Sequence, residues 1–361
     1  MNVSDDIAQT APDRLEPAGL EPAAAPPAEA AAAETRPADH AVDSASRQIP
    51  EPRRWTLHGL NNGLIFRLTC IGVRRLPRAV SYALGDTGSW IAWRLMPGTR
   101  AALADNLRAI FPSESEAALQ RRARRTLRAY SRDAVDFLRA LRVPEAAAPA
   151  LFDMQPEYFE RFRKVLDLGK GAILVTGHHG NWEIGSILMR RVLHLPLAIV
   201  AMAESSADVN RIRREMRDDL GVDTIEVRRS FDTALQIRRR LAENQIVAIL
   251  MDRHLGRDRV QVTLLGRPAW FLRTPALMGY LTGAPLVPCF IERSEGRPFD
   301  LFVGEPIVVS RSLPREEAIQ AAAQQFADQL GARVHRHPEF WYQFYRYWDA
   351  QQDSYEGLIG A

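Results

Sequence analysis

The apolar positions of this chain change period along its length. Between residues 98 and 142, in GTRAALADNLRAIFPSESEAALQRRARRTLRAYSRDAVDFLRAL, they recur every three or four residues. That spacing predicts two helices joined near Pro112, with Ser113 and Glu116 as a capping box. Beyond residue 170 short β-rich runs alternate with helical stretches. Strands are expected at AILVTG, LAIVAM, DTIEV, IVAILM, VQVTLL and LVPCFIE, and helices near 182–193, 206–219, 231–243, 274–283 and 314–333. Strands separated by helices of this length predict an α/β fold with a central, mostly parallel sheet flanked by helices. VQVTLL follows another strand closely, so the sheet is expected to be mixed.

The N-terminal part is patterned differently. GLIFRLTCIGVRRLPRAVSYALGDTGSWIAWRLMP, residues 63–97, interleaves apolar blocks with Arg67, Arg74, Arg75 and Arg78 and carries Trp90 and Trp93. No window reaches the roughly 18 uncharged apolar residues of a spanning helix. Two readings stand side by side: helices lying at a bilayer interface, or amphipathic helices packed on the domain. Residues 1–52 are Ala, Pro and Glu without apolar periodicity, too poor in buried surface to offset ordering, and read as a disordered tail. The expected organisation is therefore the tail, a helical membrane-docking region over 53–145, an α/β core over 146–350 and a short tail over 351–361.

Charge adds to this picture. Residues 1–50 hold nine acidic side chains against three arginines, so with the chain at +3 the remainder stands near +9. Lysine occurs only at Lys164 and Lys170, so the excess is guanidinium, which suits phosphate and carboxylate. Cys70 and Cys289 lie far apart in apolar settings, which argues against a disulfide framework or a cysteine-ligated metal and fits a reducing compartment. No basic segment followed by an apolar core marks a secretory signal.

The chemistry concentrates in HHGNWE, residues 178–183. The strand AILVT runs into Gly177, and Asn181 is an expected N-cap for a helix starting at Trp182, so the stretch falls at a strand-to-helix junction where α/β sheets bind ligands. His178 and Glu183 are five positions apart and would diverge on one regular helix. They meet only if the chain turns at Gly180. A histidine oriented by a carboxylate is a general base with its partner. No G-x-S-x-G elbow supplies a serine nucleophile, so the proton is expected to come from a substrate hydroxyl attacking an acyl carbonyl. The plain alternative is two polar loop histidines and a first-turn carboxylate. A metal site through His179 and Glu183 lacks an H-E-x-x-H pattern and a third ligand, and none is expected.

TGHHGNWEIG resembles the H-x4-D/E block of the glycerolipid acyltransferase superfamily, and more closely that of the bacterial lipid A late acyltransferases and the related phosphatidylinositol mannoside acyltransferases. Further blocks agree in the same order: ADNLRAIFP, with Asn106, Leu107, Phe111 and Pro112; ILMDRH; VTLLGRPAWFLRTPALMGYLTGAPLVP; and HPEFWYQFYRYWD. The resemblance covers roughly residues 60–349. It implies an enzyme at the cytoplasmic face of a bacterial inner membrane that moves a fatty acyl chain from an acyl-carrier-protein or coenzyme A thioester to a lipid hydroxyl. No cofactor and no nucleic acid would be involved.

Carried onto this sequence, the resemblance makes His178 the base and Glu183 its partner, with Gly180 and Asn181 forming a turn whose amides face the developing oxyanion. Asp252 and Arg253, at a second strand end, would border the same cleft, Arg253 either contacting a substrate phosphate or pairing with Asp252. Arg211, Arg214 and Arg217 form a phosphate-facing stripe or a solvated helix face. Arg273, Thr274 and Pro275 open a helix, with Thr274 as cap and anion contact a secondary role. The aromatic cluster from Phe340 to Trp348 packs on the core or rests at the bilayer. A thioester hydrolase with the same dyad, or a non-catalytic lipid-binding protein, are the competing functions.

Overall fold

The structure is a computed structural model that describes residues 63–203, 206–227, 232–294 and 299–349. The two tails, 1–52 and 351–361, lie outside the described residues, as does the start of the 53–145 region. Four helices come first: α1 (Gly63–Arg75), α2 (Arg78–Leu95), α3 (Pro97–Ile110) and α4 (Glu116–Ala140). Helix α4 buries Leu119, Ala123, Thr126 and Leu127, a three- and four-residue spacing that places one face on the domain. Its cap is Ser115, whose hydroxyl accepts from the Ala118 amide, rather than the expected Ser113.

The core begins with β1 (Phe152–Asp153) and α5 (Pro156–Leu166), continues with β2 (Ala172–Thr176), and after α6 (Gly185–Ile187) alternates β3 (Leu197–Ala201), α7 (Ala207–Asp218), β4 (Asp223–Glu226), α8 (Asp232–Ala242) and β5 (Ile246–Leu250). A hairpin β6 (Val260–Leu264) and β7 (Arg267–Phe271) follows, then α9 (Thr274–Thr282), β8 (Leu286–Glu292), β9 (Phe299–Val303) and α10 (Arg315–Arg336). The main sheet has the order β1-β9-β8-β2-β5-β3-β4, parallel throughout except where β9 runs antiparallel to β8. It is the expected mixed, mostly parallel sheet, but the strand that makes it mixed is β9. The VQVTLL segment leaves the sheet and pairs with β7, with a buried-exposed alternation that suits a two-stranded ribbon lying on α10.

Strands β2 and β8 are buried along their whole length, as strands covered on both faces must be, and this explains their unbroken apolar runs. One face of the sheet packs Ile173, Val175, Val247 and Ile249 against α10, whose buried Ala322, Ala323 and Ala327 permit close approach. The other face carries Leu174, Val287 and Cys289 beneath the segment 182–193 and α5. That segment is not the regular helix its sequence predicts. It passes from a 3₁₀ turn at Trp182–Ile184 through α6 into a π turn at Leu188–Val192, an irregularity frequent beside functional sites.

Candidate active site

Strands β2 and β5 lie side by side in parallel with Thr176 opposite Leu250. Two residues beyond that pair the first strand reaches His178 and the second Asp252. Imidazole and carboxylate therefore emerge together at the carboxyl ends of adjacent strands, where open α/β sheets bind their ligands. His178 Nδ1 lies 2.7 Å from Asp252 Oδ1, and the His178 amide donates to Asp252 Oδ2 at 2.8 Å. Asp252 is fully buried, while the His178 side chain keeps 16% exposure.

The carboxylate is held from behind by the C-terminal segment. Gln343 Nε2 donates to Asp252 Oδ2 at 2.8 Å, and the Tyr347 hydroxyl donates to the Asp252 carbonyl at 2.7 Å. Because the carboxylate accepts, the His178 proton belongs on Nδ1 and the Nε2 lone pair is left for a substrate. Burial, with Arg253 adding to it, lowers the His178 pKa below the ordinary imidazole value, against the opposing pull of Asp252. Burial works to raise the Asp252 pKa, but His178 and Arg253 outweigh it and hold the group below the usual aspartate range. A neutral imidazole beside an ionised carboxylate is the resting state a general base needs.

His179 serves differently. Its Nε2 contacts Glu292 Oε1 at 2.7 Å, and Arg333 grips the same buried carboxylate, with Nε 2.9 Å from Oε1. The loop is locked at its turn as well. Gly180 has φ +68°, and a Cβ there would stand 2.1 Å from the Ile291 carbonyl oxygen, so only glycine fits.

Several expectations are corrected by this geometry. Glu183 does not orient His178; it pairs with Arg213 of α7. The Gly180 and Asn181 amides donate to the carbonyls of Phe340 and Ile291, at 2.8 and 2.7 Å, so they are spent on the loop rather than aimed at an oxyanion. Asn181 stands at the N-cap position of the 3₁₀ turn that starts at Trp182, but its side chain makes no cap hydrogen bond; its Nδ2 donates to the Asp133 carbonyl instead. Arg214 pairs with Glu226, and Arg273 pairs with Glu316, and neither lines the cavity that His178 borders. Thr274 lies inside α9 and its hydroxyl bonds Asp258 instead of capping. Arg253, by contrast, does border the site: it donates to Gln343 Oε1 at 3.0 Å and to the Tyr342 carbonyl at 3.1 Å and lies over the Tyr345 ring.

His178, Glu183 and Arg253 line a cavity of about 590 Å³ that extends over the sheet face of Leu174, Ile199 and Ala248. Phe66 of α1 and Arg217 of α7 also reach it. Among the described residues no cluster of three or more His, Cys, Asp or Glu could hold a metal ion, and no helix is long and apolar enough to cross a membrane.

The sequence profile of the bacterial lipid A biosynthesis acyltransferases matches residues 52–350. The chain belongs to that family. Among individual proteins it is similar to a phosphatidylinositol mannoside acyltransferase of Mycolicibacterium smegmatis, 26% identical over 203 residues, covering 54% of this chain and 63% of that protein. It is also similar to a phosphatidylinositol mannoside acyltransferase of Mycobacterium tuberculosis, 28% identical over 190 residues, covering 51% of this chain and 56% of that protein. In both cases the match spans less than two thirds of the relative's length.

Within this family member, the residues that sequence reasoning passed over come from distant segments. Glu292 and Arg333 carry no motif of their own, and Gln343 and Tyr347 stand in the HPEFWYQFYRYWD block with nothing there to show that they hold Asp252. Arg213 lies among Arg211, Arg214 and Arg217, and stripe spacing on α7 does not say which of these side chains faces the cleft. Asn106 was visible only as part of a block. In the fold its side chain bonds the Gln343 and Tyr345 carbonyls and the Tyr347 amide, tying α3 to the segment that holds Asp252.

Proposed function

We propose that this protein transfers a fatty acyl chain from a thioester, of acyl carrier protein or coenzyme A, to a hydroxyl of a glycolipid of the lipid A or phosphatidylinositol mannoside kind. The observation that carries the reading is His178, held by Asp252, lining an otherwise largely apolar cavity. His178 Nε2 takes the proton of the acceptor hydroxyl as its oxygen attacks the thioester carbonyl. The tetrahedral intermediate collapses with expulsion of the thiolate, which takes that proton from the imidazolium. No acyl-enzyme forms, and Asp252 keeps the ring in the Nδ1–H tautomer throughout.

The cavity takes the acyl chain, whose apolar surface is stabilised by leaving water at roughly 25 cal/mol per Å². Arg253 and Arg217 at its border suit the phosphates of the donor or of the lipid head group. Glu183 acts through Arg213, holding α7 over the reaction centre.

The working place is the cytoplasmic face of the inner membrane. Leu64, Leu68, Leu84, Trp90, Ile91 and Leu95 are exposed on α1 and α2, beside Arg67, Arg75 and Arg94. An apolar face flanked by cations is the signature of an interfacial helix. Phe66 of the same α1 lines the cavity, which would bring a membrane-resident acceptor to His178.

The deciding experiment is mass spectrometry of total lipids from cells lacking the gene, complemented with wild type, His178→Ala or Asp252→Ala. Loss of a single acyl chain from one glycolipid in the null and both variants, restored by wild type, is expected. Full restoration by His178→Ala refutes the reading. Free fatty acid released by the purified protein without an acceptor points instead to a hydrolase.

A further inference from the structure

The interior strand β5 has one anomaly. Flanked by β2 and β3 and covered on both faces, its residues Ile246, Val247, Ala248, Ile249 and Leu250 are expected to be buried throughout. Ile246, Val247 and Ile249 are, but Ala248 and Leu250 are only partly buried. Both point to the face that carries Leu174. Leu250 is the last residue of the strand and borders the cavity that His178 lines. Ala248 lies two residues deeper, in the middle of the sheet, and it too borders the cavity.

The parallel register arranges this face in rows. The upper row holds Thr176 and Leu250, the middle row Leu174, Ala248 and Ile199, and the lower row Ala172, Ile246 and Leu197. Successive rows are about 6.6 Å apart along the strands. In the middle row Ala248 is the small side chain between two large ones, so the row is notched at its centre. In the lower row Ala172 and Ile246 are fully buried and Leu197 nearly so, which closes the floor. The covering segment contributes the small residues Gly185 and Ser186 to the lining of the same cavity.

We infer that Ala248 is the residue that sets how deep an acyl chain can descend, and therefore which donor lengths the protein accepts. This rests on the acyl-transfer reading above. A chain entering past His178 runs along β5, passes the middle row at the notch at Ala248, beside the partly buried Ile199, and stops at the Leu197 row. A large side chain at 248 would close the channel one row early, shortening it by about 6.6 Å, the length of roughly five methylenes.

The test uses the full chain with Ala248→Phe, and with Ala248→Val as a smaller step should the phenylalanine variant fail to fold. Displacement of a fluorescent fatty acid by saturated fatty acids from octanoate to stearate reads the depth of the cavity without any chemistry. In parallel, transfer from the matching acyl-coenzyme A series is measured for wild type, His178→Ala and the Ala248 variants. The expected result is a fall of at least tenfold in the ratio of long-chain to short-chain affinity and of kcat/KM for the folded Ala248→Phe protein, and a smaller shift in the same direction for Ala248→Val. An unchanged ratio in either folded variant overturns the depth assignment. Equal transfer by wild type and His178→Ala, with the binding ratio still shifted, would instead refute the acyl-transfer reading and leave the depth assignment standing.

Discussion

Replacing Asp252 by asparagine separates the pairing that the structure shows from the one that sequence spacing suggests. Three donors converge on the carboxylate: His178 Nδ1–H on Oδ1, and the His178 amide and Gln343 Nε2 on Oδ2. An asparagine offers one acceptor oxygen. If that oxygen serves the two donors on the Oδ2 side, its NH₂ faces His178 Nδ1 and forces the ring into the Nε2–H tautomer. The lone pair then sits on the wrong nitrogen, and the expected loss in kcat is about 10³–10⁴-fold, or roughly 4–5 kcal/mol of transition-state stabilisation.

The pH profile gives an independent sign. In wild type, burial and Arg253 hold His178 below its ordinary value, so the acid limb of kcat/KM is expected below about pH 6.5. Asp252 raises the His178 pKa, so losing its charge moves the limb of the residual activity to still lower pH. Glu183→Gln is the control. It removes the partner of Arg213 and is expected to cost about 10²-fold by displacing that side chain, to leave the acid limb in place, and to add little in an Arg213→Gln background. Initial rates of thiol release across pH, with thermal melts to confirm folding, are measured for wild type, Asp252→Asn, Glu183→Gln, Arg213→Gln and the Glu183→Gln/Arg213→Gln double variant. If Asp252→Asn stays within tenfold of wild type, or if Glu183→Gln is the variant that shifts the limb, the assignment of Asp252 as the orienting carboxylate is wrong.

Gly180→Ala should destabilise by about 2–4 kcal/mol, because it meets both a positive φ and the Ile291 carbonyl, and denaturant titration reads it. Gln343→Glu places a second carboxylate against Asp252 and should raise the acid limb of the pH profile, while Gln343→Met lowers kcat through loss of the Asp252 and Arg253 contacts; an unmoved limb in the glutamate variant would make Gln343 a packing residue only. Arg333→Met leaves the buried Glu292 with fewer partners and should cost about 3–5 kcal/mol. Burial alone would raise the Glu292 pKa, but His179 and Arg333 bring it down to about 2, below its unfolded value of about 4.5, so its stabilisation is present above pH 4.5 and is lost as pH falls toward 2. Leu68→Glu combined with Leu84→Glu should abolish co-sedimentation with anionic vesicles while sparing the melting temperature, since both side chains are exposed.

Much of the architecture was legible because it depends on local pattern. Unbroken apolar runs mark strands buried on both faces, and three- and four-residue spacing marks α4, α7 and α10. The short β1 and the strands β7 and β9 left weaker traces. Pro268 interrupts the apolar pattern of one and Asp300 breaks the short FDLFV run of the other, so neither announces itself. The 182–193 segment reads as an ordinary helix, since nothing local records that the chain must bend through a π turn to cover a cavity.

At the site, the sequence by itself determined that a histidine loop would stand at a strand end, that Gly180 would permit the chain to turn there, and that the ordered blocks resemble one acyltransferase family. It could not determine which carboxylate the histidine meets. Glu183 is five residues away and Asp252 seventy-four, and proximity in the chain favours the first. Strand register decides for the second, because Thr176 and Leu250 are neighbours in the sheet and the two chains continue in step beyond them. The depth of the cavity is likewise a tertiary property: an alanine in IVAIL is unremarkable in sequence, and gains meaning only when Leu174 and Ile199 flank it in the sheet.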